Sequence, residues 1–268
     1  MLLLAYPTCR PEEARLALMS GAQRVLVNAA EAPGRLEELR RAVEEGAAQA
    51  EDAMRALTRE ALLAVGLEGS SDLGAIQVAG ELLAEVEHPD HYAEAARFAH
   101  GVVTPVGLPN LPLENTLTQR NSARLIWRVK EDIQGLEDQL DNSPVEEVWF
   151  DLSALAGAWG LNRPWAALTD PRLETMAGQA RKAGRPFGVA GLPALEDPFG
   201  PGVLAEITRL GAASAVLWGF PPPLQGDDRR GLEYSLDRLR TREGWLRARP
   251  PVLTARHRSE FVARLTQP

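Results

Sequence analysis

The sequence predicts a (β/α)8 TIM barrel. Three observations carry the prediction. Eight short apolar segments recur along the 268 residues, most are followed by a stretch with helical spacing, and glycine or proline separates them. The length suits one domain of this kind, and 45% hydrophobic residues can build its core. An open doubly wound sheet is the runner-up. It is disfavoured because no glycine-rich phosphate loop follows an early strand. The expected layout is a single domain over residues 1–268, with a long helical segment after strand two and residues 220–268 as last helix plus C-terminal extension.

In chain order, Leu2–Tyr6 reads as the first strand, and Pro11–Gly21 as a helix with proline in its first turn. The β-branched RVLVN run, Arg24–Asn28, is the second strand. Pro33–Val65 reads as one or two long helices, with Leu36, Leu39, Met54 and Leu57 at helical spacing. Gly66–Leu73 is a break, and Gly74–Glu81 fits either a short strand with a turn or the lead-in to the next strand. Leu82–Val86 is strand three, followed by helix Tyr92–Ala99; Gly101–Pro105 is strand four. The proline- and asparagine-rich loop Val106–Ser122 has a length often associated with function. Arg124–Val129 is strand five, with Glu131–Leu140 as its helix. Val145–Phe150 is strand six, Arg172–Ala183 a helix, Pro186–Ala190 strand seven, Pro201–Leu210 a helix and Ala213–Gly219 strand eight. Asp228–Leu246 is the last barrel helix and Ser259–Leu265 a terminal one.

The net charge of −8 argues against a nucleic-acid partner. No apolar run reaches the roughly 18–20 residues needed to span a bilayer, so no membrane partner is expected. Met1–Ala5 lacks a basic flank and reads as a strand, not a signal peptide. A lone cysteine, Cys9, excludes an intrachain disulfide and suits a reducing, cytoplasmic setting.

The organising stretch is VWFDLSALAGAWG, Val148–Gly160. An apolar run stops at Asp151, as a buried parallel strand does when it delivers an acid to the rim of a sheet. In α/β folds the chemistry gathers at that end of the strands. Asp151 can equally cap the helix that follows. Arg128 and Trp127 alternate in strand five, so only one of them points into the barrel. An inward Arg128 would bind a carboxylate or phosphate; an inward Trp127 would face a ligand. Glu85, Glu87 and His88 cluster at the end of strand three. Glu87 and His88 could act as an acid–base pair, against the plainer reading of His88 as a turn residue. Arg10 could contact an anion and Asn28 donate a hydrogen bond from strands one and two. Lys130 could form a Schiff base with a carbonyl, although a lysine beside two acids is more often a solvated partner. Cys9 has no histidine close in sequence to activate it. Trp127, Trp149 and Trp218 are explained as well by barrel packing as by a ligand platform.

FDLSALAGAWG, the Asp170–Pro171 step, AGQARKAGRPFGV (Ala177–Val189) and AEVEHPDHYAEAARFAHGVVTP (Ala84–Pro105) together resemble the HpcH/HpaI aldolase and citrate lyase β-subunit group of phosphoenolpyruvate/pyruvate-type barrels. The resemblance implies a carbon–carbon lyase that acts on a 2-oxo acid or acyl-CoA-type substrate. It also implies Mg2+ (or Mn2+), held by a glutamate ending strand five and an aspartate ending strand six, with an arginine ending strand three. Asp151 matches the aspartate, and aligning Gly135–Asp138 with the family's next helix puts Glu131 at the glutamate. The arginine position holds Glu85. Trp127 and Glu85 favour the alternative, a divergent barrel without the metal chemistry that binds a small acid or a protein partner. Barrels of this group often assemble by exchanging the last helix, so a homo-oligomer is expected.

Overall fold

The alternation of short apolar strands with amphipathic segments folds as predicted. The computed structural model describes residues 1–64, 78, 80–106, 123–220 and 230–266. Eight parallel strands form a closed barrel in sequence order. They are β1 (Leu3–Pro7), β2 (Arg24–Asn28), β3 (Glu81–Glu85), β4 (Gly101–Pro105), β5 (Arg124–Val129), β6 (Glu147–Asp151), β7 (Phe187–Pro193) and β8 (Ser214–Trp218), with β8 pairing back onto β1. The helices are α1 (Pro11–Met19), α2 (Leu36–Ala64), α3 (Tyr92–Phe98), α4 (Leu136–Asp141), α5 (Leu152–Ala158), α6 (Pro171–Lys182), α7 (Gly200–Leu210), α8 (Arg230–Ala248) and α9 (Pro251–Leu265). Among the described residues no helix is long and apolar enough to cross a membrane.

Side chains alternate between the two faces of a strand, so the register decides what fills the barrel. One residue from each strand meets at the centre: Ala5, Leu26, Leu83, Val103, Ile126, Trp149, Ala190 and Val216 form a separate apolar cluster. Trp149 is the large member, and Gly188 on β7 makes room for it. A Cβ there would lie 2.9 Å from Trp149 and 2.1 Å from the Ser214 hydroxyl. Two residues toward the strand N-termini, the same inward parity brings Arg24, Glu81, Arg124, Glu147 and Ser214 together. Two residues toward the C-termini it brings Glu85, Arg128 and Asp151 together. The barrel therefore holds an apolar layer between two charged ones.

The outward parity packs under the helices. Val25, Val27, Leu82, Ala84 and Val102 meet Leu36, Leu39 and Val43 of α2, while Val148, Phe150 and Val189 meet α5–α8. The short α1 and the long α2 approach closely because residue 46 is glycine. A Cβ there would sit 2.6 Å from the Arg15 carbonyl oxygen. At the far end of the molecule α9 lays Phe261 against Gly202 of α7, where a Cβ would clash at 2.2 Å.

Several expectations shift. The stretch expected as one or two helices holds a single helix, Leu36–Ala64, and Met54 and Leu57 in its second half are exposed. The helix expected at Glu131–Leu140 begins only at Leu136. Gly135 takes a left-handed conformation (φ 66°) that breaks the backbone there and leaves residues 131–134 outside the helix. The terminal helix starts at Pro251, eight residues earlier than Ser259, because a proline in the first helical turn loses no hydrogen bond. Gly66–Leu73 and residues 107–122 of the long loop lie outside the described residues.

Candidate functional site at the strand C-termini

Asp151 ends β6 and starts α5, and each of its carboxylate oxygens has a separate task. Oδ1 accepts the backbone N–H groups of Ser153 (3.1 Å) and Ala154 (3.0 Å), which caps the helix. Oδ2 accepts Nε (3.0 Å) and Nη2 (2.7 Å) of Arg128. The two sequence readings of Asp151, cap and rim acid, are therefore both realised. Arg128 is the member of the Trp127–Arg128 pair that points inward. Trp127 lies on the outer face, packed on the hydrophobic shell, which removes it from the inner surface where a ligand contact was expected.

Arg128 reaches a second acid. Its Nη1 donates to Glu85 at the end of β3, so one guanidinium bridges two carboxylates from opposite sides. All three side chains are largely buried, with 19% of Arg128, 11% of Glu85 and 10% of Asp151 exposed. Burial alone would lower the arginine pKa. The charges of Glu85 and Asp151 and their hydrogen bonds outweigh it and raise the pKa above its ordinary value. Two carboxylates and one guanidinium leave the trio with an excess of one negative charge. Arg128 has five N–H donors, and the contacts to Glu85 and Asp151 use three of them.

Other candidates surround this trio without joining it. Glu87 pairs with Lys130 at the exposed rim, and that hydrogen bond and charge hold its carboxyl below the usual range. Lys130 is thus the solvated partner of an acid. His88 does not pair with Glu87. Its Nδ1 accepts the Asp90 N–H (3.4 Å) and caps the short turn Pro89–His91. Arg10 is exposed ahead of α1, where it meets Glu13 at 3.0 Å. Asn28 accepts the Ala30 N–H at 3.0 Å, as a turn cap does. Glu131 is exposed in the turn after β5. The acid that faces Asp151 across the site is Glu85.

The fit of a divalent metal follows from these contacts. A metal ligand needs a free carboxylate lone pair and a partner carboxylate on the same ion. Asp151 spends both oxygens on four N–H donors, and a guanidinium fills the space between it and Glu85. Among the described residues no group of three or more His, Cys, Asp or Glu side chains could hold a metal ion. The side chains present do not fit a Mg2+ site of the expected kind.

The inward Glu85–Arg128 contact went unrecognised in the sequence, although a signal for it was present. Both residues stand two positions beyond the central layer, with Leu83 and Ile126 as their inward predecessors.

No protein-family model and no curated protein sequence matches the chain. Solved structures do. A variant of the citrate synthase SbnG is 12% identical with a TM-score of 0.52, over 90% of this chain and 94% of that one. An HpcH/HpaI aldolase from Desulfitobacterium hafniense is 12% identical with a TM-score of 0.50, over 93% and 94%. An HpcH/HpaI aldolase/citrate lyase family protein from Burkholderia cenocepacia is 11% identical with a TM-score of 0.53, over 92% and 95%. At these identities the likeness is one of fold: the chain is a (β/α)8 barrel of the kind seen in the HpcH/HpaI aldolase and citrate lyase structures.

Proposed function

We propose that the protein binds a small 2-oxo acid at the C-terminal end of its barrel, with Arg128 as the anchor, and that it is a divergent aldolase-type lyase without a metal-held enolate. The observation that carries this reading is the fixed guanidinium, oriented from two sides by Glu85 and Asp151 with two N–H donors uncommitted among the described residues. A pre-oriented guanidinium edge matches the paired oxygens of a carboxylate or of an oxo acid, and little rotamer freedom is lost when they bind. It also polarises a carbonyl oxygen, the charge stabilisation that carbon–carbon cleavage next to a carbonyl requires.

Glu85 touches the guanidinium directly and is the carboxylate nearest to a ligand held there. Glu87 is a poor base, since Lys130 holds its carboxyl below the usual range. The negative excess of the trio disfavours a multiply charged anion and selects a ligand that presents one carboxylate and a neutral carbonyl. Names such as aldolase and citrate lyase belong to the structures of similar fold, and they suggest the reaction class to be tested first.

Calorimetric titration with pyruvate in excess EDTA tests the proposal, with the dianion oxaloacetate expected to bind more weakly. Binding is expected without added metal, and Arg128→Met is expected to abolish it. Binding that appears only when Mg2+ is supplied, or that survives Arg128→Met, would defeat the reading.

A further inference from the structure

Arg128 lies between two carboxylates that, without it, would face each other across the axis of the barrel. We infer that this guanidinium is the resident cation of the site, standing in the space a divalent ion would need, and that the wild-type protein excludes Mg2+ and Mn2+ for this reason. The inference rests on the reading of this end of the barrel as the working end, and it names the device that sets its metal preference.

The contacts make the case. A divalent ion ligated by Asp151 would have to displace Arg128 Nε and Nη2 from Oδ2, because Oδ1 is committed to the cap of α5. It would also meet a fixed positive charge within hydrogen-bond distance of its own ligand atom, a like-charge contact in a part-buried place. The second acid, Glu85, is taken by Nη1 of the same group. Glu85 stands on β3, Arg128 on β5 and Asp151 on β6, so the guanidinium lies on a strand between the two that carry the acids. Removing the arginine side chain would leave two carboxylates, from β3 and β6, pointing at one vacated volume. That is the donor set a hard divalent cation prefers.

Mn2+ alone is the probe, followed by electron paramagnetic resonance and calorimetry with no organic ligand present. The wild-type protein is expected to leave Mn2+ free. Arg128→Ala is expected to bind one ion per chain, and Arg128→Ala with Asp151→Asn to lose it again. If Arg128→Ala does not fold, Arg128→Ser also removes the guanidinium and is expected to gain the same single site. Wild-type binding of Mn2+ that Asp151→Asn removes would overturn the inference. So would a folded Arg128→Ala, or a folded Arg128→Ser, that binds none. Because no oxo acid is involved, these outcomes are separate from the EDTA titration: a protein that rejects both metal and oxo acid defeats the proposed function and leaves this inference standing.

Discussion

The barrel carries an ionic layer at each end, and the two are built from the same residue types to different effect. At the N-terminal end Arg24 donates to Glu81 (2.8 Å) and Glu147 (3.0 Å), Arg124 also reaches Glu81, and Trp149 Nε1 (2.7 Å) and the Ser214 hydroxyl close on Glu147. Two arginines meet two glutamates, and the charge balances. At the C-terminal end one arginine meets two acids, and the charge does not balance. Arg24 and Glu147 are almost fully buried, Glu81 and Arg124 each keep 27% exposure, and the upper trio keeps 10–19%. The lower layer balances its own charge at the strand N-termini, and its ion pairs serve to hold the barrel closed. The upper layer carries an uncompensated charge at the strand C-termini, the end where α/β barrels place their chemistry, and is poised to interact. Placement and stoichiometry, more than residue type, separate a structural ion cluster from a candidate site.

If that distinction is right, breaking the lower layer should cost the most stability. Arg24→Met removes the main counter-charge of Glu147, whose carboxyl burial would otherwise push up. The Arg24 charge and the hydrogen bonds from Arg24, Ser214 and Trp149 hold it below its ordinary value. Leaving that buried carboxylate with two neutral donors and Arg124 at 4.0 Å, without its main counter-charge, should cost about 3–5 kcal/mol. The loss is read as a lower urea midpoint at neutral pH. The sign with pH follows from linkage. A depressed carboxyl contributes stability above the unfolded pKa and loses it as pH falls through the folded value. The gap between wild type and Arg24→Met should therefore close in acid below the usual carboxylate range. A gap that widens there would contradict the pairing.

Arg128→Met tests the upper layer and should cost less, about 1–3 kcal/mol, because Asp151 keeps its two backbone donors and Glu85 keeps some access to water. Ligand binding, by contrast, should vanish. Equal destabilisation by Arg24→Met and Arg128→Met would erase the contrast between the layers. Asp151 separates its two tasks by substitution. Asp151→Asn retains an N-cap and loses only the charge, while Asp151→Ala loses both and should be about 1 kcal/mol less stable than Asp151→Asn. Thermal melts of the two variants side by side report the value of the cap.

The barrel was legible because its signals are local. Apolar runs such as Arg24–Asn28 and Gly101–Pro105 fall on their strands residue for residue, since β-branched residues between turn residues leave few alternatives. The start of α4 was misread because Glu131 and Asp132 look like first-turn acids, and nothing in their side chains announces that Gly135 takes a left-handed conformation. The charged layers were harder still. Arg24, Glu81, Arg124 and Glu147 are each the first residue of a strand, a pattern visible in retrospect once register is known. Their pairing spans up to 123 residues of chain, and only the closed register brings them together. Glu85 stood out as an acid where the resemblance expects a base. That its counter-charge was Arg128 depended on which of two neighbours, Trp127 or Arg128, faced inward, a choice that alternation alone leaves open.

The smallest effect concerns the rim. Lys130 and Glu87 form an ion pair whose side chains are 36% and 55% exposed, so solvent screens most of the attraction. Lys130→Ala should change stability by roughly 0.2–1 kcal/mol at neutral pH and low salt, and by less in high salt, where exposed charges are screened over a few ångströms. Lys130 holds the Glu87 carboxyl below its usual range, so the small contribution exists above the unfolded glutamate pKa and disappears as pH falls through the folded value. Urea unfolding at neutral and acid pH, at two salt concentrations, checks both signs. The same salt series applied to Arg128→Met should show a much weaker dependence, because its two ion pairs lie largely out of water. If Lys130→Ala and Arg128→Met responded alike to salt, Arg128 would be a surface cation in effect. The upper layer would then lose the shielding on which its role as the resident cation depends.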